Sequence, residues 1–211
     1  MPINAVIYDM DGLILDNEPA ARQAYRNVIR NHGRIPVDPV YTPGTHGNMA
    51  IIKQKYDLPQ PLDELRREWH EMYTYLLPRY ARALPGVYCK LATFALKGLP
   101  QGLASTSRRV HVDMVLNLLE IKNFFRATVG GDEVKRQKPK PDIYLEAAAR
   151  LGVPPTECAA FEDSEAGSIA ALTAGMKVVA VPNKSTANQN HRAHLKVTSL
   201  CDVTWDMLQA L

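Results

Sequence analysis

The chain is poor in cysteine, and its three cysteines are widely spaced. Cys89, Cys158 and Cys201 are odd in number and form no C-x-x-C pair, so neither a disulfide framework nor a zinc site is predicted. We expect all three to be small, buried, apolar residues. The six histidines are scattered, and none stands at i, i+4 from another metal ligand, as a helical metal site would require.

Long apolar runs and blocks of like charge are also missing. No stretch approaches the ~18 apolar residues of a membrane span, and the opening MPINAVIYD runs into a strand pattern without the features of a signal peptide. The formal net charge is only +3, and Lys and Arg are dispersed, so no nucleic-acid footprint is visible. We expect a protein of the reducing cytoplasm that binds neither membrane nor nucleic acid.

What the chain does contain is an ordinary globular composition, with 46% hydrophobic and 22% charged residues over 211 positions. Short apolar runs rich in β-branched residues alternate with helical patterns over the second half. This alternation is typical of an α/β fold with a parallel sheet. The predicted strands are Ala5–Tyr8, Gly102–Ser105, Ala127–Val129, Cys158–Phe161 and Val178–Val181.

The helical patterns between these strands have apolar residues at helical spacing. The three sets are Val110, Met114, Val115, Leu118 and Leu119; Leu145, Ala148 and Ala149; and Ile169, Leu172 and Thr173. Gly152 and Gly175 stand where helix C-caps are expected.

Residues 17–84 show no strand pattern and are predicted to form an inserted helical domain. Asn17 and Pro19 could begin a first helix that ends at Gly33. Residues 35–47, rich in Pro and Gly, are interpreted as an ordered loop. Two apolar stripes indicate packing within a small bundle: Ala21, Tyr25, Val28, Ile29 and His32, and then Leu62, Leu65, Trp69, Met72 and Leu76.

Four groups of polar residues follow predicted strands, where ligand sites of open α/β sheets lie. The first is YDMDG, in which Asp9 and Asp11 follow a buried run. Like charges there are costly unless a cation compensates them. A polar turn is the alternative explanation for this stretch alone.

The other three groups supply different chemistry. Ser105, Thr106 and Ser107 stand at a junction of strand and helix that suits an anion, although helix capping alone would explain them. In KPKPD two prolines lock the backbone, so Lys138 is expected to be held in place and suits phosphate, whereas Lys140 between the prolines needs no special role. Glu162 and Asp163 are adjacent acids that directly follow the predicted strand Cys158–Phe161. Together the groups predict a site of phosphoryl transfer.

These motifs resemble the haloacid dehalogenase-like superfamily, in particular its phosphatase branch with a helical cap, the branch that includes β-phosphoglucomutase-like and sugar-phosphate phosphatases. DMDGLILDNE resembles the opening D-x-D-G-x-x-x-D-[ST]-E, LASTS the Ser/Thr motif, KPKPDIY the K-P-x-P-x-x-[FY] motif and FEDSEAG the E-D-S-x-x-G motif. The resemblance implies a Rossmann-like core (residues 1–16 and 85–211) with an inserted cap (17–84). Asn17 replaces the usual Ser or Thr.

The resemblance also implies roles for the residues. Asp9 would be the nucleophile and form an aspartyl-phosphate, and Asp11 would protonate the leaving alcohol and then deprotonate water. Mg²⁺ would be bound by Asp9, the backbone carbonyl of Asp11 and Asp163, with Glu162 binding through water or orienting these ligands. Ser105, the amide of Thr106 and Lys138 would hold the phosphoryl oxygens.

Three alternatives are weighed against this hydrolase. A dehalogenase would lack the acid at Asp11, because halide leaves without protonation. A phosphomutase related to β-phosphoglucomutase would carry Lys and Arg in the cap loop, where TPGTHGNMA offers only His46. A non-catalytic binding module would have lost the nucleophile or Lys138.

The expected partner is a small phosphorylated substrate, with a sugar or polyol phosphate preferred by analogy with the family and nucleotide-type monophosphates left open. Cap side chains would set this specificity. The oligomeric state is expected to be a monomer or a weak dimer.

Overall fold

The computed structural model describes residues 2–37 and 49–211. The chain divides into two compact units. The first comprises Met1–Asp16 with Ala83–Leu211, and the second comprises Asn17–Arg82.

The strands, in chain order, are short. They are β1 (Ala5–Tyr8), β2 (Leu15–Asp16), β3 (Arg82–Ala83), β4 (Gln101–Ala104), β5 (Ala127–Val129), β6 (Cys158–Glu162), β7 (Lys177–Ala180) and β8 (Leu195–Lys196).

The α-helices connect and cover these strands. They are α1 (Glu18–Asn31), α2 (Met49–Lys55), α3 (Leu62–Tyr80), α4 (Val87–Leu96), α5 (Arg109–Leu118), α6 (Asp142–Leu151), α7 (Glu165–Thr173) and α8 (Trp205–Gln209).

Six strands of the first unit form one sheet in the order β5-β4-β1-β6-β7-β8. Every neighbouring pair in it is parallel. The strand order reverses at β1, because β4 and β5 follow on one side while β6, β7 and β8 follow on the other. In open α/β sheets, ligands bind beyond the carboxyl ends of the strands at such a point. The predicted α/β, Rossmann-like class is confirmed.

The sheet is buried on both faces, as parallel sheets usually are. All four residues of β1 and all five of β6 are buried. Helices α6 and α7 pack on one face of the sheet, and α6 ends at Gly152, whose φ of +72° suits glycine. This burial fixes the strand ends that carry the polar residues.

The five predicted strands are present with shifts of at most one residue at either end, and the short β2, β3 and β8 were not predicted. In α5 the buried residues include Val112, Val115 and Leu116, whereas Val110 and Leu118 are exposed. The apolar spacing therefore identified the helix but mixed two of its faces.

The prediction that every cysteine is buried was wrong. Cys158, the first residue of β6, is buried, but Cys89 and Cys201 are exposed. Cys89 lies in α4 but not among its buried residues, Val87, Lys90, Leu91 and Phe94, and Cys201 lies in the turn Leu200–Asp202, of which only Leu200 is buried.

The second unit contains α1, α2 and α3. Its core joins apolar residues of the three helices, and the Trp69 ring stacks on Tyr73 with centroids 5.1 Å apart. Asn17 stands at the N-cap position of α1, but its side chain makes no capping bond and donates instead to the Tyr73 hydroxyl at 3.2 Å. Most of the predicted loop 35–47, including His46, lies outside the described residues.

Among residues 2–37 and 49–211, no helix combines the length and the apolar character that crossing a membrane requires.

Candidate active site

The site residues are positioned by the carboxyl ends of neighbouring strands. Tyr8, the last residue of β1, pairs with Leu103 of β4 and with Phe161 of β6. The residues that come next along each strand therefore reach the same edge of the sheet. Asp9 follows β1, and its amide donates to the Phe161 carbonyl at 3.0 Å.

Lys138 lies at the centre of this edge, in the segment between β5 and α6. Its Nζ donates to Asp9 Oδ1 at 2.5 Å, to Glu162 Oε1 at 2.6 Å and to the Ala104 carbonyl at 3.1 Å. The Lys138 side chain is only 5% exposed, and its Nζ stands 4.9 Å from the centre of the Tyr144 ring. The ammonium is therefore held in place rather than solvated. Lys140, by contrast, is exposed.

Three buried carboxylates face one another at the same edge. Oxygen atoms of Asp9, Glu162 and Asp163 all lie within 4.8 Å of one another. Glu162 has no exposed side-chain surface. Besides Lys138, it accepts hydrogen bonds from the Tyr144 hydroxyl at 2.6 Å and from the Ser164 hydroxyl at 3.0 Å.

The crowding of these acids changes their titration. Burial raises the pKa of Asp9 to about 7, although the neighbouring Lys138 acts in the opposite direction. Burial and the adjacent Asp9 likewise raise the pKa of Asp163. Burial disfavours the ammonium of Lys138, but the charges of Asp9 and Glu162 outweigh that effect and raise its pKa. The charge balance of the pocket favours additional positive charge.

Asp11 is joined to the segment that follows β4. Its Oδ2 accepts a hydrogen bond from the Ser107 hydroxyl at 2.7 Å and one from the Ser105 hydroxyl at 3.1 Å. Ser105 also accepts from the Ser107 amide at 3.0 Å, so a compact turn holds the two serines. Thr106, between them, is half-buried.

Gly12 shows why glycine follows Asp11. Its φ is +87°, a conformation that residues with a Cβ rarely adopt. A Cβ built there would overlap Asp163 Oδ2 and would stand 2.7 Å from Asn183 Nδ2. The turn can therefore bring its backbone against Asp163 only without a side chain.

Three residues of this site were not singled out from the sequence. Ser107 was noted only as part of the Ser/Thr group after β4, and Tyr144 only as the aromatic residue that ends the motif KPKPDIY. Asn183, after β7, was missed altogether, although its amide contacts Asp163 at 2.8 Å. The rule that polar residues at strand ends merit attention would have found it, because β7 is followed directly by VPN.

The donor set fits a hard divalent cation. Carboxylate and carbonyl oxygens are the ligands that Mg²⁺ prefers, and the cluster of Asp9, Glu162 and Asp163 offers several within a small buried space. No thiol or imidazole is among the three, so the cluster suits a hard divalent cation better than zinc.

Comparison with known proteins agrees with this geometry. The family model of the haloacid dehalogenase-like hydrolases matches residues 6–181, and the chain belongs to that family.

Two curated relatives and one solved structure illustrate its neighbours. Hexitol phosphatase B of Escherichia coli (strain K12) is 31% identical over 211 residues, covering 96% of this chain and 95% of that protein. Fructose-1-phosphate phosphatase YqaB of the same organism is 34% identical over 180 residues, covering 83% and 95%. A β-phosphoglucomutase structure from Clostridium difficile has a TM-score of 0.78 and 26% identity, covering 99% of this chain and 96% of that one.

Within the family, the relatives place this chain among the phosphatases, and the protein is an enzyme of that class. This confirms the phosphatase branch over the dehalogenases and over a non-catalytic module.

Proposed function

We propose that the protein is a Mg²⁺-dependent phosphomonoester hydrolase that acts on a small sugar or polyol phosphate through an aspartyl-phosphate on Asp9. One observation carries the proposal. A buried lysine, Lys138, contacts the proposed nucleophile at 2.5 Å beside two further buried carboxylates. A structural ion pair would need one acid for the lysine, whereas this cluster holds more negative charge than Lys138 neutralises.

The residues that would hold Mg²⁺ are Asp9, Asp11 through its backbone carbonyl, and Asp163. The ion would offset the repulsion between a phosphate group and the Asp9 carboxylate. Glu162 is saturated by hydrogen bonds from Lys138, Tyr144 and Ser164. Its proposed role is therefore to orient Lys138 and the neighbouring acids.

The proposed reaction has two steps. An Asp9 carboxylate oxygen attacks phosphorus and forms an acyl phosphate, while the bond from phosphorus to the substrate oxygen breaks and Asp11 donates a proton to the leaving alkoxide. Water then attacks the same phosphorus, Asp11 accepts its proton, and the bond to Asp9 breaks to release phosphate. The contacts of Asp11 with two hydroxyls support this role, because they hold its carboxyl near the strand end that carries Asp9.

The transferring phosphoryl group would be held by Ser105, the amide of Thr106 and Lys138. Ser105 is fully buried and lies at the end of β4. Lys138 carries its charge on a side chain that the surrounding groups immobilise. A fixed hydroxyl and a fixed ammonium suit the oxygens of a phosphoryl group in transfer.

The substrate class is supported by the relatives. One is named a hexitol phosphatase and another a fructose-1-phosphate phosphatase, and a hexitol is a polyol while fructose is a sugar. We assign the helical unit Asn17–Arg82 the role of the family's cap and expect its side chains to choose among such esters.

A phosphomutase is the second candidate, favoured by the likeness to β-phosphoglucomutase. The argument against it is that the cap loop around His46 lacks Lys and Arg. That loop lies outside the described residues. A mutase would convert a hexose 1-phosphate into its isomer faster than it released phosphate.

The test is a phosphate-release screen over sugar, polyol, nucleotide and small-acid phosphates, with Mg²⁺ and with EDTA, beside Asp9→Asn. We expect release from a sugar or polyol ester that requires Mg²⁺ and is lost in Asp9→Asn. Release in EDTA at the rate seen with Mg²⁺, or retained activity in Asp9→Asn, would contradict the proposal.

A further inference from the structure

Asn183 connects two of the strand ends that form the site. It lies in the loop after β7, and its Nδ2 donates two hydrogen bonds. One goes to Asp163 Oδ2 at 2.8 Å and the other to the Gly12 carbonyl at 2.9 Å. A single amide therefore ties the turn after β1 to the acid after β6.

The orientation of this amide is fixed from the other side. Asn183 Oδ1 accepts hydrogen bonds from the amides of Ser185 at 2.7 Å and Thr186 at 3.2 Å. The Asn183 backbone amide donates to the Thr186 hydroxyl at 3.1 Å, and Thr186 is buried. Two acceptors on one side and two donors on the other leave the amide one satisfactory orientation, with its NH₂ group facing Asp163.

The same arrangement limits what Asp163 can do. Burial alone would let a carboxylate turn about its χ2 angle, a broad and soft torsion. The bond from Asn183 to Oδ2 holds the carboxylate plane and thereby the direction of Oδ1. Because Asn183 is neutral, it does this without adding charge to a cluster that already contains three acids.

We infer that Asn183 is a positioning residue that sets the affinity of the site for Mg²⁺ by orienting Asp163. The inference rests on the proposed function, since it assumes that Asp163 is a metal ligand. Groups that orient ligating carboxylates commonly change metal affinity by about 10- to 100-fold when removed. The residue touches no reacting atom, so its effect passes through Asp163.

The test measures Mg²⁺ binding to the substrate-free protein by isothermal titration calorimetry. Asn183→Ala removes both donors, and Asn183→Ser keeps a hydroxyl that can support the turn but cannot span both acceptors. Two controls lie in the same loop. Lys184→Ala changes an exposed neighbour. Gln189→Ala removes the side-chain oxygen that accepts from the Glu165 amide at 2.8 Å, so it loosens the same loop while both hydrogen bonds of the Asn183 Nδ2 stay in place.

We expect both Asn183 variants to weaken Mg²⁺ binding by about tenfold or more, while both controls stay near the wild type. Unfolding in urea with EDTA reports whether each variant is folded. The Mg²⁺ concentration for half-maximal phosphate release should rise by a similar factor, with most of the rate recovered at saturating Mg²⁺. A general loss of structure would not produce that recovery.

Two results overturn the inference. One is an Asn183→Ala or Asn183→Ser protein that binds Mg²⁺ as tightly as the wild type, and the other is a Gln189→Ala protein weakened as much as they are. If the wild type itself binds no Mg²⁺, the proposed function fails, and that outcome is distinct from both.

Discussion

Replacing Lys138 with methionine removes the ammonium that contacts the buried carboxylates of Asp9 and Glu162. Three hydrogen bonds disappear, at 2.5 Å to Asp9, 2.6 Å to Glu162 and 3.1 Å to the Ala104 carbonyl. Methionine keeps a chain of similar length over the Tyr144 ring, so little cavity forms. The change is therefore close to a pure loss of charge and of hydrogen-bond donors.

The expected cost follows from the burial of the two acids. Their side chains are 8% and 0% exposed, so water cannot replace the lost partner. Removing one partner of a buried ion pair costs about 3–5 kcal/mol, because an uncompensated charge stays behind. For a chain of this length each kcal/mol lowers the melting temperature by about 2–4 °C. Lys138→Met should thus melt roughly 6–20 °C below the wild type.

The assay is urea and thermal unfolding in EDTA at about pH 8, above the pKa of about 7 to which burial raises Asp9. Lys140→Met is the matched control, since the two lysines stand two positions apart in KPKPD and Lys140 is exposed. That variant should stay within about 0.5 kcal/mol of the wild type. Equal free energies of unfolding for the two variants would refute the claim that Lys138 neutralises buried acids.

Three further predictions concern the surroundings of the site. A thiol reagent at about pH 8 should modify the two exposed cysteines but leave Cys158, because burial raises the pKa of its thiol to about 12; labelling of three thiols in the folded protein would contradict this. Gly12→Ala should lose clearly more unfolding free energy than Gly33→Ala, because both positions have a positive φ but only Gly12 lacks room for a Cβ. Equal losses would show that backbone strain alone matters. Tyr144→Phe should lower the free energy of unfolding in urea by about 1.5–3 kcal/mol, because the Tyr144 hydroxyl donates to the buried Glu162 carboxylate. An unchanged midpoint would mean that this bond contributes nothing.

The parallel sheet was predictable because its strands are buried on both faces and are therefore continuous apolar runs. Ala5–Tyr8 and Cys158–Phe161 stand out in this way. β8 could not be predicted, since its two residues, Leu195 and Lys196, are too few to show any period. It lies at the edge of the sheet, where one neighbour suffices.

The faces of α5 illustrate a second limit. Val110, Met114 and Leu118 form one apolar stripe, and the stripe that includes Val112 and Val115 forms another. Periodicity alone gives no reason to bury one rather than the other. The choice depends on the helix's position against the sheet, which is a property of the fold.

The candidate site divides along similar lines. Charged residues at strand ends draw attention because burying them is costly, and Asp9 and Asp163 were found for that reason. Lys138 was found because the prolines of KPKPD hold a lysine in place. Asn183 has no charge, and an asparagine after proline is an ordinary turn residue. Its place after β7 could have drawn attention to it, but only its contacts with Asp163 and Gly12 show that it does more than form such a turn.

The central claim is that the carboxylate of Asp9, held beside Lys138, carries the phosphoryl group during turnover. Acid quenching of a single turnover on a sugar or polyol phosphate that the screen identifies, followed by mass spectrometry of the peptides, tests it most directly. The account predicts a transient phosphoryl group on the peptide that contains Asp9, absent from Asp9→Asn. Rapid phosphate release with no phosphorylated form of that peptide at any quench time would contradict it.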